Sequence, residues 1–157
     1  RTVAVWDWAV LRAPQPISMR WHLARETAPG ENGAFVMKGD TATLVGRIVC
    51  EDETALLRAD KHAYEAPYDT HRLGAPLKQR NEPYIELKTA SDRCGILTLF
   101  AVFGPDEEPG AWEKTGWGWS IHTPEGRVNI RRKEDAIIAH RPGVDTLGAQ
   151  TWVEYQE

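Results

Sequence analysis

Apolar and polar residues alternate in short runs along this chain, and turn-forming residues bound each run. From Ile17 to Leu23 the alternation is strict. A period of two predicts a β-strand that buries one face and exposes the other to water. Gly39 and Asp40, which separate two further runs, predict a tight hairpin because both residue types tolerate positive φ. The pattern therefore predicts an all-β fold with antiparallel neighbours.

About ten strands are predicted in this way. The segment from Gly95 to Phe103 is almost continuously apolar, which is typical of a central strand covered on both faces. Thr123 to Gly126 form a turn signal that predicts pairing of the strands on either side. Only Glu51 to Ala63 has a composition that also allows a short helix. The other strand candidates are Thr2–Leu11, Ile17–Leu23, Ala34–Lys38, Thr41–Cys50, Ala55–Ala59, Tyr84–Ala90, Gly116–His122, Arg127–Arg131, Asp135–His140 and Thr151–Tyr155.

These strands predict a single antiparallel β-sandwich domain across residues 1–157. A chain of 157 residues is long enough to bury a core of its own. Because Arg1 already lies inside a strand-like run, we expect the domain to be a fragment of a larger protein.

The charge balance argues against some classes of partner. Nineteen Lys and Arg stand against twenty-three Asp and Glu, a net charge of -4, which disfavours nucleic acid. A local basic groove for an acidic polysaccharide stays open, because net charge averages over faces of different sign. No apolar run approaches the roughly 20 residues of a membrane-spanning helix, so no membrane partner is expected. Phosphate loops, nucleophile elbows and Cys-x-x-Cys pairs are absent from the sequence, and no cofactor is expected.

One long segment, from Asp60 to Pro83, lacks a strand pattern. Loops of this length inside a compact domain are uncommon unless they have a function. The segment up to Asn81 is therefore the expected contact region for a substrate. Its aromatic, imidazole and cationic groups could stack on and hydrogen-bond a sugar acid, and the candidate binding residues are His62, Tyr64, Tyr68, His71 and Arg72.

Other interpretations of this loop remain open. It could be a solvated loop whose tyrosines pack on the sandwich. A tyrosine beside a histidine could also serve as general acid and base, but sequence does not establish contact between them. A zinc site of His62, Asp69 and His71 is disfavoured, because the spacing of the histidines matches no compact ligand pattern. We predict no metal.

Trp117 and Trp119 form a second candidate for sugar binding. They lie two positions apart in a predicted strand, hence on one face, and the adjacent glycines leave the opposite face bare. Such a pair predicts a flat aromatic platform for a pyranose ring. The alternative is that both rings belong to the core, as large aromatic residues at alternating positions often do.

Cys50 and Cys94 each lie at the boundary of a predicted strand. They could form a disulfide between neighbouring strands in an oxidising compartment, or they could be two buried thiols. Spacing alone does not decide between these alternatives.

Several apolar segments resemble the C-terminal β-sandwich of heparinase II/III-like polysaccharide lyases. Val3–Asp7 followed by Pro16–Leu23 resembles the strand at that domain's edge and its Trp-x-Leu strand. Gly33–Val49 looks like the hairpin that follows, and Ile96–Pro105 resembles a late apolar strand ending in proline. The resemblance implies a periplasmic or extracellular parent that cleaves uronic-acid polysaccharides by β-elimination, with a helical domain upstream. In that family most catalytic residues lie on the helical part, so the resemblance assigns no catalytic residue here.

Three functions from different classes are consistent with the sequence. The leading hypothesis is a lyase module that supports the fold and walls one side of the substrate cleft, without catalysis of its own. A free-standing carbohydrate-binding module and a structural or adhesive sandwich are the alternatives. Sandwich folds host many unrelated functions, so the site has to decide among them.

Overall fold

The structure, a computed structural model, describes residues 1–63, 81–133, 136–141 and 144–147. This part of the chain contains ten β-strands and one 3-10 turn, η1 (Glu31–Gly33), with no α-helix, which confirms the all-β prediction. Among these residues no helix has the length and apolar character needed to cross a membrane. The strands are β1 (Thr2–His22), β2 (Ala34–Lys38), β3 (Thr43–Cys50), β4 (Leu56–Ala63), β5 (Asn81–Phe103), β6 (Glu113–Lys114), β7 (Trp119–Thr123), β8 (Gly126–Lys133), β9 (Ala136–Arg141) and β10 (Val144–Leu147).

The strands form two five-stranded antiparallel sheets. The first has the order β1-β5-β3-β2, with β4 also paired to β5, and the second has the order β10-β9-β8-β7-β6. Strand β5 is central in the first sheet, because β1 pairs along one edge while β4 and β3 pair with successive halves of the other. The sequence prediction of a central strand from Gly95 to Phe103 is therefore confirmed.

Two strands are longer than the sequence predicts. Strand β1 joins two expected runs across Pro14 and Pro16, and β5 joins Tyr84–Ala90 to Gly95–Phe103. Between Val10 and Gln15 the register shifts, so that residues 11–14 of β1 face only Asp92 of β5. Such a bulge on an edge strand tolerates proline, because a missing N–H there interrupts no ladder. Pro14 lies in this bulge and Pro16 lies opposite Ala90 on the edge strand, so neither proline ends β1.

The core lies on both faces of the first sheet. The two sheets pack face to face over one apolar cluster, which contains Trp6, Val45, Leu97, Leu99, Ala101, Phe103, Trp112, Ile121, Val128 and Ile130. A second cluster covers the opposite face of β5 and contains Leu23, Phe35, Ile48, Ile85, Leu87, Cys94 and Ile96. Successive side chains of a strand point to opposite faces, so the continuous apolar run of β5 supplies both clusters.

The predicted turns form where the sequence places them. Gly39 donates its N–H to the carbonyl oxygen of Ala42 (2.8 Å) between the paired strands β2 and β3, and residues 123–126 join β7 to β8. The predicted loop at Asp60–Pro83 is wrong at its ends, because β4 continues to Ala63 and β5 begins at Asn81. Residues 64–80 and the strand predicted at Thr151–Tyr155 lie outside the described part of the chain.

Candidate functional site

An open cleft of about 710 Å³ lies where β3 of the first sheet borders β6 and β7 of the second. Its volume falls within the roughly 300–1,000 Å³ that small-molecule sites usually occupy. Aromatic, cationic, amide and carboxylate side chains line the cleft, principally Asn32, Arg47, Asp52, Glu53, Lys114 and Trp119. We call this set the inter-sheet cleft.

Trp119 forms the aromatic wall of the inter-sheet cleft. It begins β7, where it is paired with Ile130 of β8 on one side and with Lys114 of β6 on the other. Directly opposite residues of an antiparallel pair share a face, so Trp119 and Lys114 lie side by side. The Trp119 ring is half-buried and packs against the core between the sheets, whereas Lys114 is exposed.

Arg47 connects the two sheets at the same place. Its guanidinium carbon lies 4.7 Å from the centre of the Trp119 ring, a cation–π arrangement. Its Nη1 donates to the carbonyl oxygen of Asn32 (2.7 Å), and its Nη2 donates to that of Trp112 (3.2 Å). Burial lowers the pKa of Arg47, but an arginine stays protonated at neutral pH. The cleft therefore contains a cation whose position is fixed by two carbonyls and one ring.

The short turn η1 brings the Asn32 carbonyl to Arg47. Asn32 and Gly33 both adopt left-handed backbone conformations, with φ of 57° and 75°. At Gly33 a Cβ atom would overlap the carbonyl oxygen of Ile48, so only glycine allows the turn to lie against β3. The Asn-Gly pair thus sets the rim of the cleft.

Asp52, one of the two described acidic residues that line the cleft, already has hydrogen-bond partners. The carboxylate of Asp52 accepts hydrogen bonds from Thr89 Oγ1, from Thr54 Oγ1 (2.7 Å) and from the Thr54 backbone N–H (2.9 Å). These bonds, that of Thr89 first, lower the pKa of Asp52. In the described part of the chain neither Arg47 nor Lys114 makes an ion pair with an acidic residue. Among the described acidic residues, the two cations beside Trp119 therefore have no counter-ion.

Trp117 does not share a platform with Trp119. It lies in the turn between β6 and β7, where its ring contacts the Arg131 guanidinium (4.6 Å) and His140 (6.4 Å between ring centres). Arg131 follows Ile130, the partner of Trp119, so the two tryptophans lie against opposite faces of β8. The physical reason is the turn at residues 115–118, where Gly118 has φ of 153° and bonds back to Thr115, so that strand alternation fails.

Of the other predicted residues, the structure describes only His62, which does not line the inter-sheet cleft. His62 is exposed on β4, where it is paired with Glu82 of β5. The remaining binding candidates lie outside the described residues; they are Tyr64, Tyr68, His71 and Arg72. Two members of the disfavoured zinc set, Asp69 and His71, also lie outside them. Within the described part of the chain no group of three or more potential metal ligands comes together.

Sequence reasoning missed Arg47, Lys114 and Asn32 as site residues. Arg47 carried one usable signal, since it is the single charged residue of β3, whose other residues are mostly apolar. A charge at such a position is usually retained for a specific contact, because its burial is costly when it is not hydrogen-bonded. Lys114 carried no signal, because a lysine before a turn is ordinary.

A second polar cluster lies around Glu86, on the face of β1, β5 and β4 that is opposite to Ile85 and Leu87. The Glu86 side chain is fully buried, and its Oε1 accepts from Ser18 Oγ (2.8 Å) and Arg20 Nε (2.8 Å). Its Oε2 contacts Arg58 Nη2 (2.7 Å) and Lys88 Nζ (3.3 Å). Burial alone raises the pKa of Glu86, but these four partners outweigh it and lower the pKa to about 2. The cluster joins three strands through one carboxylate.

This depressed pKa predicts a pH dependence of stability. The folded pKa of Glu86, about 2, lies below the 4.5 of an ordinary glutamate, so the stabilisation is fully present above about pH 4.5 and is lost as the pH falls toward 2. Glu86→Gln should lose this dependence, and its unfolding free energy should change less between pH 5 and pH 2 than that of the wild type. Denaturant melts across this range measure the difference. Glu108→Gln, which removes an exposed carboxylate, should follow the wild-type curve; parallel curves for Glu86→Gln and the wild type would contradict the assignment.

No family model matches the chain, and no curated protein sequence matches it significantly. The resemblance to heparinase II/III-like lyases therefore stays a prediction.

Proposed function

We propose that this β-sandwich binds an acidic polysaccharide in the inter-sheet cleft and serves as a non-catalytic module of a polysaccharide-cleaving protein. The observation that carries the proposal is the placement of Arg47 and Lys114 beside the half-buried Trp119, since in the described part of the chain neither cation is paired with an acidic residue. An anionic ligand would supply the missing counter-charge.

The groups around Trp119 match the chemistry of a uronic acid. An indole offers an apolar surface for the C–H face of a pyranose ring, and cations bind its carboxylate through charge-assisted hydrogen bonds. Arg47 is held in place by the carbonyls of Asn32 and Trp112, so it would bind a carboxylate with little loss of side-chain freedom. Lys114 is exposed and flexible, so it would adapt to neighbouring sugar units.

A binding role fits this arrangement better than catalysis. β-Elimination needs a base to remove the proton beside the carboxylate and an acid to protonate the leaving oxygen. The described charged groups of the cleft are Arg47 and Lys114, which are cationic at neutral pH, Asp52, whose lowered pKa makes it a weak base, and the exposed carboxylate of Glu53. In a heparinase II/III-like parent, a periplasmic or extracellular protein, the upstream helical domain would supply the acid and base. The sandwich would then wall one side of the substrate cleft.

Calorimetric titration of the full chain with acidic and neutral oligosaccharides tests the proposal. Oligomers of galacturonate, mannuronate and heparin-type disaccharides should bind more tightly than maltohexaose, and their affinity should fall with added salt. Lys114→Ala should weaken binding of the uronates about 3- to 10-fold, because it removes one exposed cation from the cleft. Lys38→Ala, which removes an exposed lysine at the end of β2, is the matched control and should leave the affinity unchanged.

Three results would contradict this function. Equal affinity for uronates and maltohexaose would exclude recognition of the carboxylate, and cleavage of a polymer by the chain alone would exclude a non-catalytic role. If Trp117→Ala abolished binding while Lys114→Ala had no effect, the site would lie on the outer face of the second sheet, where the Trp117 ring is 38% exposed.

A further inference from the structure

The two cysteines lie side by side on neighbouring strands. Cys50 ends β3 and is paired with Ile96 of β5, so Cys94 lies two residues farther along the partner strand. Their sulfur atoms are 3.7 Å apart as free thiols. Both side chains contact the second apolar cluster, hence they share one face of the first sheet.

This proximity is the geometry from which a disulfide closes. From 3.7 Å, the two sulfurs need to approach to about 2.05 Å, which requires rotation about the Cα–Cβ bonds together with a small adjustment of the two strands. We propose that Cys50 and Cys94 form a reversible intramolecular disulfide that fastens the end of β3 to the middle of β5.

The two thiols differ in accessibility, and this sets the order of the reaction. Cys50 is half-buried and lines the inter-sheet cleft, whereas Cys94 is only 2% exposed. The pKa of Cys94 is raised to about 12, mainly because the thiol is buried and also because Cys50 lies beside it. A small-molecule disulfide, such as oxidised glutathione, therefore reacts at Cys50.

The exchange is balanced in two steps. The Cys50 thiolate attacks one sulfur of the oxidant, which forms a mixed disulfide and releases one small thiolate. Cys94 then loses its proton and attacks the Cys50 sulfur, which closes the protein disulfide and releases the second small thiol. The protein loses two electrons and two protons, and the oxidant is reduced to two thiols.

The disulfide would constrain a large part of the chain. The cysteines are 44 residues apart in sequence, and the loop they close contains all of β4. Closing a loop of this size removes much conformational freedom from the unfolded chain, so the Tm should rise by about 8–15 °C on oxidation. This inference does not depend on whether the cleft binds a uronate.

Equilibration of the full chain in glutathione buffers, followed by unfolding, alkylation and mass spectrometry, tests the proposal. The expected product is a monomer that is 2 Da lighter, resists alkylation at both cysteines, melts higher, and returns to the reduced form with excess dithiothreitol. Cys50→Ala and Cys94→Ala remove the mass change and the rise in Tm. The reduced Tm of each variant separates a folding defect from loss of the bond.

Two outcomes would overturn the disulfide. One is a wild-type chain that keeps two alkylatable thiols at a potential of about -180 mV, the poise of protein disulfide isomerase. The other is a covalent dimer linked through Cys50, which would show that the exposed thiol reacts between molecules faster than with Cys94.

Discussion

Leu99→Ala is expected to reduce the free energy of unfolding by about 3–4 kcal/mol, the largest loss of stability we predict for a single side chain. Leu99 is fully buried in the cluster between the sheets. It lies on the central strand, paired with Ala4 of β1 and with Arg47 of β3. The cost is large because truncation removes contacts from both sheets, and neither sheet can move to fill the cavity.

Leu56→Ala is the matched control for this substitution. Leu56 is also a leucine in the first sheet, but 72% of it is exposed at the start of β4. Its truncation should change the unfolding free energy by no more than about 0.5 kcal/mol. Urea denaturation followed by tryptophan fluorescence measures both variants. Equal losses would contradict the arrangement of the two sheets over one shared core.

The sequence predicted the fold because its signals are local. The alternation from Ile17 to Leu23, the hairpin at Gly39 and the apolar run ending at Phe103 each report on a few neighbouring residues, and each matches a strand or turn. The merged strands β1 and β5 were missed, because a bulge across from Asp92 is a property of two paired strands. Nothing in either segment alone shows that pairing continues past the prolines.

The candidate site was predictable only in part, because it forms between distant segments. Trp119 was predicted as a binding residue and does line the cleft, but its expected partner, Trp117, lies on the other side of β8. Arg47 and Trp119 meet only because two sheets pack together, and their separation of more than seventy positions leaves no periodic trace. Hydrophobic patterns specify which faces pack, but they do not identify the polar groups at the margin.

Arg47→Met is expected to weaken binding of an acidic oligosaccharide about 10- to 100-fold, the largest effect on affinity that we predict. The substitution keeps the length of the side chain but removes the charge that faces Trp119. It also removes the two hydrogen bonds to the carbonyls of Asn32 and Trp112. These bonds connect β3 to η1 and to the residue that precedes β6. A charge-assisted contact with a carboxylate contributes about 1.5–3 kcal/mol, which corresponds to a change in affinity of this size.

Arg47→Lys and Arg12→Met separate charge from geometry. Lysine keeps the charge but cannot donate to both carbonyls in the planar geometry of a guanidinium, so Arg47→Lys should bind with intermediate affinity. Arg12 is exposed in the bulge of β1, outside the inter-sheet cleft, so Arg12→Met should bind like the wild type. Titration calorimetry gives the affinities, and thermal melts show whether each variant is folded at the temperature of the titration. If a folded Arg47→Met variant bound with unchanged affinity, Arg47 would not take part in binding. The proposal that Trp119 and the cations beside it bind a uronate would then fail.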